Sequence, residues 1–402
     1  LFYFPAHMKG LFFMLWNLAL IFLLGIILGR ICIKLKLPAL VGYLIAGLLL
    51  GDVTNLLSSD FLALSSDLRR FALIVILFRA GLALDLTELK KVGRPAVMLC
   101  FVPACFEILG CTLLAPILLG LSYLEGALLG SVIAAVSPAV VVPRMLNLIE
   151  KNLGTEHAIP QMILAGASVD DVFVLVMFSA FCTMIEGGTF SPAVLLDIPV
   201  SIILGIIFGI VIGLLLIAIF KHTNLSNILM LIILLSVGFL CMTLEDISPV
   251  PFSGMLAVMT IGIVIFRKTP DIAKSISLPL GNVWVFAEII LFVLVGAAVE
   301  LSYIVMFGIA AVIMIIGALL FRMVGVGVSV TKTSLTKKER LFSMIAYCPK
   351  ATVQAAIGSV PLSLGFACGH TVLTAAVLAI LITAPFGAFL IDTLSQKLLQ
   401  NN

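Results

Sequence analysis

Apolar runs of membrane length follow one another along this chain, separated by short polar loops, and that succession limits the fold before any motif is considered. Of 402 residues, 62% are hydrophobic and 11% charged, with a mean hydropathy of +1.31. A composition this apolar excludes a soluble enzyme. Runs of about twenty apolar residues are the length of a bilayer-crossing helix, so the expected class is an all-α polytopic membrane protein in a lipid bilayer. Thirteen candidate helices lie near 11 to 30, 38 to 51, 69 to 85, 95 to 119, 122 to 143, 158 to 185, 193 to 220, 226 to 244, 252 to 266, 280 to 300, 303 to 330, 341 to 360 and 370 to 395. No soluble domain is left over.

The net charge of +3 is no nucleic-acid footprint, because the basic residues sort by loop. Odd-numbered loops hold Arg30, Lys34, Lys36, Lys90, Lys91, Arg94, Arg144, Lys151, Lys221, Arg267, Lys268, Lys274, Lys332, Lys337, Lys338 and Arg340; even-numbered loops hold little beyond Arg69 and Arg70. That bias predicts an outside N-terminus and a cytoplasmic C-terminus. The eight cysteines are scattered over the spans without a CxxC and read as small buried residues. The four histidines form no metal cluster; His157, where the sixth span begins, is a candidate for tuning a pH response.

Comparing the two halves at an offset of about 213 aligns Pro38 to Gly42 with Pro251 to Gly254, Leu77-Phe78 and Asp85 with Leu291-Phe292 and Glu300, Glu107 with Arg322, and Ser137-Pro138 with Pro349-Lys350. The first span then matches the eighth, an odd number of spans later, so the copies run in opposite directions. The reading is a single transmembrane unit over 1–402: repeat one about 11–185, a linker helix about 193–220 and repeat two about 226–395, six helices in each repeat. Transporters with inverted repeats place their sites at the midplane, on helices interrupted by Pro, Gly and polar residues. Span five (Ala134 to Pro143) and span twelve (Tyr347 to Gly358) carry such interruptions at matching positions, so both are expected to be discontinuous.

Into this pattern the sixth span inserts two adjacent carboxylates, Asp170 and Asp171. Each charge at the centre of a membrane helix costs about 2.5 to 3.5 kcal/mol on insertion scales, which makes the pair a site by default. Neighbouring side chains on a helix diverge by about 100°, so one aspartate can hold a fixed cation while the other faces a cavity. At about 1.5 Å per residue, Asp170, Asp171, Glu107, Lys350 and Arg322 fall in one layer, three acids against two bases. Glu107 with Arg322 reads as an interhelical ion pair of mainly structural role. Arg79 is close enough to a span end to snorkel and is left out.

Four stretches in order, Phe78 to Asp85, Ala135 to Pro143, Gly166 to Asp171 and Pro349 to Val360, resemble the cation/proton antiporter superfamily, specifically its NHA-type sodium/proton exchanger branch. The resemblance covers nearly the whole chain. It implies crossed discontinuous helices 5 and 12, a dimerisation domain beside a six-helix core domain, a homodimer, and elevator-like exchange of Na⁺ or Li⁺ against H⁺ without a cofactor. By the family pattern Asp171 is the main ion ligand and Asp170 pairs with Lys350. Residue chemistry leads the same way: two buried carboxylates one residue apart cannot both ionise freely and titrate as a unit. A proton and a metal cation then compete for one set of oxygens, to which Ser137, Ser168 and Thr352 can add.

In electrogenic members of the superfamily a lysine occupies the place of Arg322; arginine cannot release its proton, so exchange is expected to be electroneutral, one cation for one proton. An intramembrane aspartyl protease needs its two aspartates on facing helices and is excluded by their adjacency. A sodium-coupled symporter on the same fold needs a polar, aromatic-lined substrate cavity, which the sequence does not show, so no organic substrate is expected. Compactness suggests a bacterial inner membrane.

Overall fold

A computed structural model describes residues 6–83, 93–187, 192–223, 225–248, 250 and 252–399; for 6–13, 59–60, 168 and 192–199 only the backbone is described. The described chain is helical throughout, and every one of the thirteen apolar runs overlaps helix. In order these are α1 (Ala6–Lys34), α2 (Ala39–Leu48) ending in a π turn (Leu49–Val53), α3 (Ser59–Ala63), α4 (Ser65–Ala83), α5 (Arg94–Leu99), α6 (Val102–Leu119), α7 (Tyr123–Ala134), α8 (Pro138–Glu150) and α9 (Ile159–Glu186). Then follow α10 (Pro192–His222), α11 (Asn227–Ile247), α12 (Gly254–Lys268), α13 (Pro270–Ala297), α14 (Leu301–Ser329), α15 (Lys337–Ala346), α16 (Thr352–Ile357), α17 (Val360–Ser363) and α18 (Gly369–Leu398). Among the described residues nine stretches are long and apolar enough to cross a membrane, and Ala39–Val53 is a shorter apolar helix.

Where helices stop differs from the hydropathy runs for local reasons. The fourth run divides into α5 and α6 at Cys100-Phe101, because Pro103 in the first turn of α6 has no N–H to extend a helix arriving from Leu99. The tenth begins ten residues early, at Pro270, directly after α12, with Thr269 as the only joint. Lys274 therefore stands on a helix instead of in a loop.

Main packing falls into two bodies. α1, α2, α4 and α10 to α13 pack as one, and α5 to α9 with α14 to α18 as the other. Backbones in the first approach closely where side chains vanish: a Cβ added to Gly47 on α2 would stand 2.9 Å from the Gly296 Cα on α13. The second body contains both interrupted spans and the aspartate helix α9. Between the bodies runs a seam where α4 and α13 meet α16, and α9 meets α10 and α12.

Candidate functional site: two helix breaks around an aspartate pair

Both expected interruptions are present and they touch. α7 ends at Ala134, after which Ala135 (φ −65°, ψ 140°) and Ser137 (φ −86°, ψ 109°) are extended and Pro138 opens α8. α15 ends at Ala346, and Pro349 bars helix in the residue before it until α16 starts at Thr352. An interruption at this depth strands backbone groups that lipid cannot satisfy. Here each break serves the other: the Ser137 N–H donates to the Pro349 carbonyl at 2.8 Å, and Gln354 Nε2 donates to the carbonyls of Ala135 (2.8 Å) and Ile133 (3.3 Å). Gln354 Oε1 accepts from the Ala351 N–H at 2.7 Å, and Thr383 Oγ1 from the Lys350 N–H at 2.8 Å.

Charges complete that closure. Arg322, fully buried on α14, donates through Nη1 to Glu107 Oε2 at 2.8 Å and to the Ala134 carbonyl, through Nη2 to Asp170 Oδ2 at 3.0 Å, and through Nε to the Tyr347 carbonyl at 2.5 Å. Lys350 Nζ reaches the same Glu107 oxygen at 2.6 Å and the Ala134 carbonyl at 3.3 Å. Two cations thus sit at the C-terminal end of α7, where unpaired carbonyls carry the negative end of the helix dipole. Asp170 Oδ2 also accepts from the Val136 N–H at 2.8 Å.

The Glu107–Arg322 pair is as read from the sequence; the Asp170 partner is not. Asp170 is held by Arg322, and Lys350 is instead the second cation on Glu107. The reason is the guanidinium fork, which binds two carboxylates from different helices at once, whereas an ammonium on one stem is a point charge. The five-residue layer therefore resolves into a closed set of two acids and two bases, with Asp171 left over.

Asp171 is 8% exposed, and its buried Oδ1 has no hydrogen-bond partner among the described residues. It faces a cavity of about 640 Å³ at the seam. Pro138, Ala139, Pro143, Leu164 and Thr352 line that cavity from the second body; Ile76, Arg79, Ala80, Trp284 and Glu288 line it from the first. The Ser137 Oγ is likewise buried without a partner, while the Ser168 side chain lies outside the described residues. Asp85 lies outside them too.

Two cavity residues were not in the sequence-derived site. Arg79 is exposed and holds its guanidinium 5.8 Å from the Trp284 ring centre on the cavity wall. Glu288 is a lone acid in the apolar run Val283 to Val295, a signal of the same kind as Asp170-Asp171 and equally legible. Away from the membrane-spanning segments, His157 Nδ1 meets Glu339 Oε1 at 3.0 Å, and this hydrogen bond raises the His157 pKa above 6.5.

Residues 18–397 match the family model described as sodium/hydrogen exchanger, transmembrane. The chain belongs to the sodium/hydrogen exchanger family. Its relatives include sodium/hydrogen exchanger 9B2 of Bison bison bison, 34% identical over 407 residues that span 96% of this chain and 76% of the relative. Sodium/hydrogen exchanger 9B2 of Homo sapiens is 32% identical over 412 residues, 96% of this chain and 75% of the relative. In fold, this exchanger is similar to the sodium proton antiporter MjNhaP1 from Methanocaldococcus jannaschii at pH 8, with a TM-score of 0.82 over 97% of this chain and 99% of that one, at 21% identity. The resemblance read from four sequence motifs thus holds, and the exchanger is an antiporter embedded in a membrane, not an enzyme.

Proposed function

We propose that this exchanger moves Na⁺ or Li⁺ against H⁺ by letting the two compete for Asp171. The observation that carries the reading is the contrast inside the layer: Asp170, Glu107, Arg322 and Lys350 are bonded to one another, while Asp171 has neither an ion-pair nor a hydrogen-bond partner among the described residues and faces the seam cavity. An unpaired buried carboxylate is held neutral by a proton or balanced by a cation. Thr352 on the cavity wall and Ser137 at the break supply further oxygens, as does Ser168 in the sequence reading.

The second body slides along the first, exposing Asp171 to alternate faces and returning only when a cation or a proton neutralises it. In this conformation the lining residues Ala83, Val142, Pro143, Leu164 and Gly281 lead from Asp171 toward the Lys- and Arg-rich helix ends. With those ends cytoplasmic, the N-terminus outside and the C-terminus inside, the cavity faces inward. The two bodies are built from inverted repeats, about 11–185 and 226–395, and the first is the dimerisation surface of a homodimer. The animal relatives lend no support to a bacterial inner membrane as the address.

Exchange is electroneutral on this reading, because Arg322 keeps its proton and Lys350 stays bound to Glu107 through the cycle. The test is dissipation of an imposed ΔpH by Na⁺ or Li⁺ in proteoliposomes, with parent and Asp171→Asn compared. Loss in folded Asp171→Asn supports the shared carboxylate; undiminished exchange would overturn it. A membrane-potential response to Na⁺ addition in the parent would refute electroneutrality alone.

A further inference from the structure

A second unbalanced charge lies at the other end of the same seam. Arg69, in the second turn of α4, is 6% exposed, and its Nε and Nη1 are buried with no hydrogen-bond partner among the described residues. Its Nη2 makes one long contact of 3.4 Å to the Ser363 hydroxyl. No carboxylate among the described residues pairs with it. The neighbouring Arg70 takes Asp246, at 2.5 Å, and Asp67 on the same helix is exposed. Arginine does not shed its proton, so this cation cannot escape its burial as a lysine could. A buried guanidinium without a counter-charge is destabilising unless something brings one.

The space beside it is suited to a small anion. A cavity of about 30 Å³ is lined by Ser66, Arg69 and Arg70 from α4 and by Ser359 and Ser363 from the chain beyond α16. At roughly 10 to 15 Å³ per water-sized particle, that holds one monatomic anion or about two waters and excludes a phosphate group. The guanidinium N–H groups and the Ser66 and Ser359 hydroxyls are donors, the Ser363 hydroxyl already donates to the Ser359 carbonyl at 3.1 Å, and no acid among the described residues lines the space.

We propose that this cavity binds a chloride-sized anion that latches the seam shut on the face opposite the Asp171 cavity. The order of residues on both elements places it there. Along α4, Arg79 and Ala80 line the large cavity, Leu73 and Leu77 form the apolar contact, and Arg69 lies beyond; across the seam Thr352, then Val353, Ala356 and Ile357, then Ser359 and Ser363 follow the same order. The anion bridges the two bodies in this conformation, and sliding that opens the opposite face separates Arg69 from the serines. Chloride therefore favours the state described here.

The test reads binding and not exchange, so its outcome is independent of the role given to Asp171. The purified exchanger is melted in sodium gluconate with increasing chloride at constant Na⁺ and ionic strength. A saturable upward shift of about 2 °C or more by about 150 mM chloride is expected in the parent. The same shift is expected to vanish in Arg69→Met and to persist in Ser277→Ala, a serine on α13 beyond the large cavity, whose hydroxyl donates to the Ala273 carbonyl. Bromide replacing chloride should give an anomalous-scattering peak beside Arg69 in crystals of the parent, a readout that needs no variant. No chloride shift in the parent, an equal shift in Arg69→Met, or a bromide-free cavity would each mean that water alone fills it and overturn the proposal.

Discussion

Asp170 and Asp171 are consecutive on one helix and each keeps a buried Oδ1 without a partner among the described residues, yet only Asp170 has its other oxygen bonded. Asp170 accepts from Arg322 and from the Val136 N–H, inside a set of two acids and two bases that also absorbs the stray carbonyls of α7. Asp171 has a cavity on one side and an unpartnered buried oxygen. A rotation of about 100° separates a carboxylate fixed within one body from one at the boundary between two. On the proposed function, buried charges in this exchanger fall into those that make the second body rigid and those that await a mobile ion, and the distinction is whether their partners are covalently part of the chain.

That distinction is broken most severely at Asp171. Asp171→Asn should reduce Na⁺-driven proton movement in proteoliposomes to that of protein-free vesicles. Its melting temperature should equal or exceed the parent's, since an unpaired buried carboxylate is lost. A large fall in stability would place Asp171 with the structural charges. Arg322→Met should do the reverse and cost about 3 to 5 kcal/mol of stability, because Asp170, Glu107 and two carbonyls lose a shared donor. Unchanged thermal stability of this variant would show that the closed set is not structural.

Asp170→Asn sharpens the comparison further. Asparagine can still accept from Val136 but no longer balances Arg322, and a loss of about 1.5 to 3 kcal/mol is expected, read as a lower melting temperature. The smallest effect belongs to His157. Its pKa is raised by Glu339, so the stability that this contact adds is full below pH 6.5 and is lost as pH rises through the raised value. The melting-temperature advantage of the parent over His157→Gln should thus shrink from pH 6 to pH 9. A constant difference would remove the pair from any pH response.

How far the sequence led depends on whether a property is one-dimensional. Span positions follow from runs of apolar residues, and both breaks follow from Ser137-Pro138 and Pro349-Lys350, where proline limits its neighbours directly. Depth along a helix follows from rise per residue, which put Asp170, Asp171, Glu107, Lys350 and Arg322 in one layer. Azimuth does not follow, and azimuth decides partners; the pairing of Asp170 with Lys350 comes from the family resemblance, and here Arg322 holds Asp170. The same gap hid Arg79, whose depth suits snorkelling and whose direction puts it over Trp284. Arg69 counts as a loop residue by hydropathy, although it is buried one turn into a helix.

The mutual closure of the two breaks also has a consequence for biogenesis. The carbonyls of Ile133, Ala134 and Ala135 are capped by Gln354, Lys350 and Arg322, which follow them by 188 to 221 residues. During synthesis the ribosome delivers the first break long before any of its caps exist. Until α14 and α16 arrive, the half-finished chain has bare polar backbone at a depth where lipid offers no substitute. The newborn protein must either hold that segment near water or shelter it against an insertion factor, and a truncation that ends before Arg322 should be a substrate for membrane quality control and not a stable fragment.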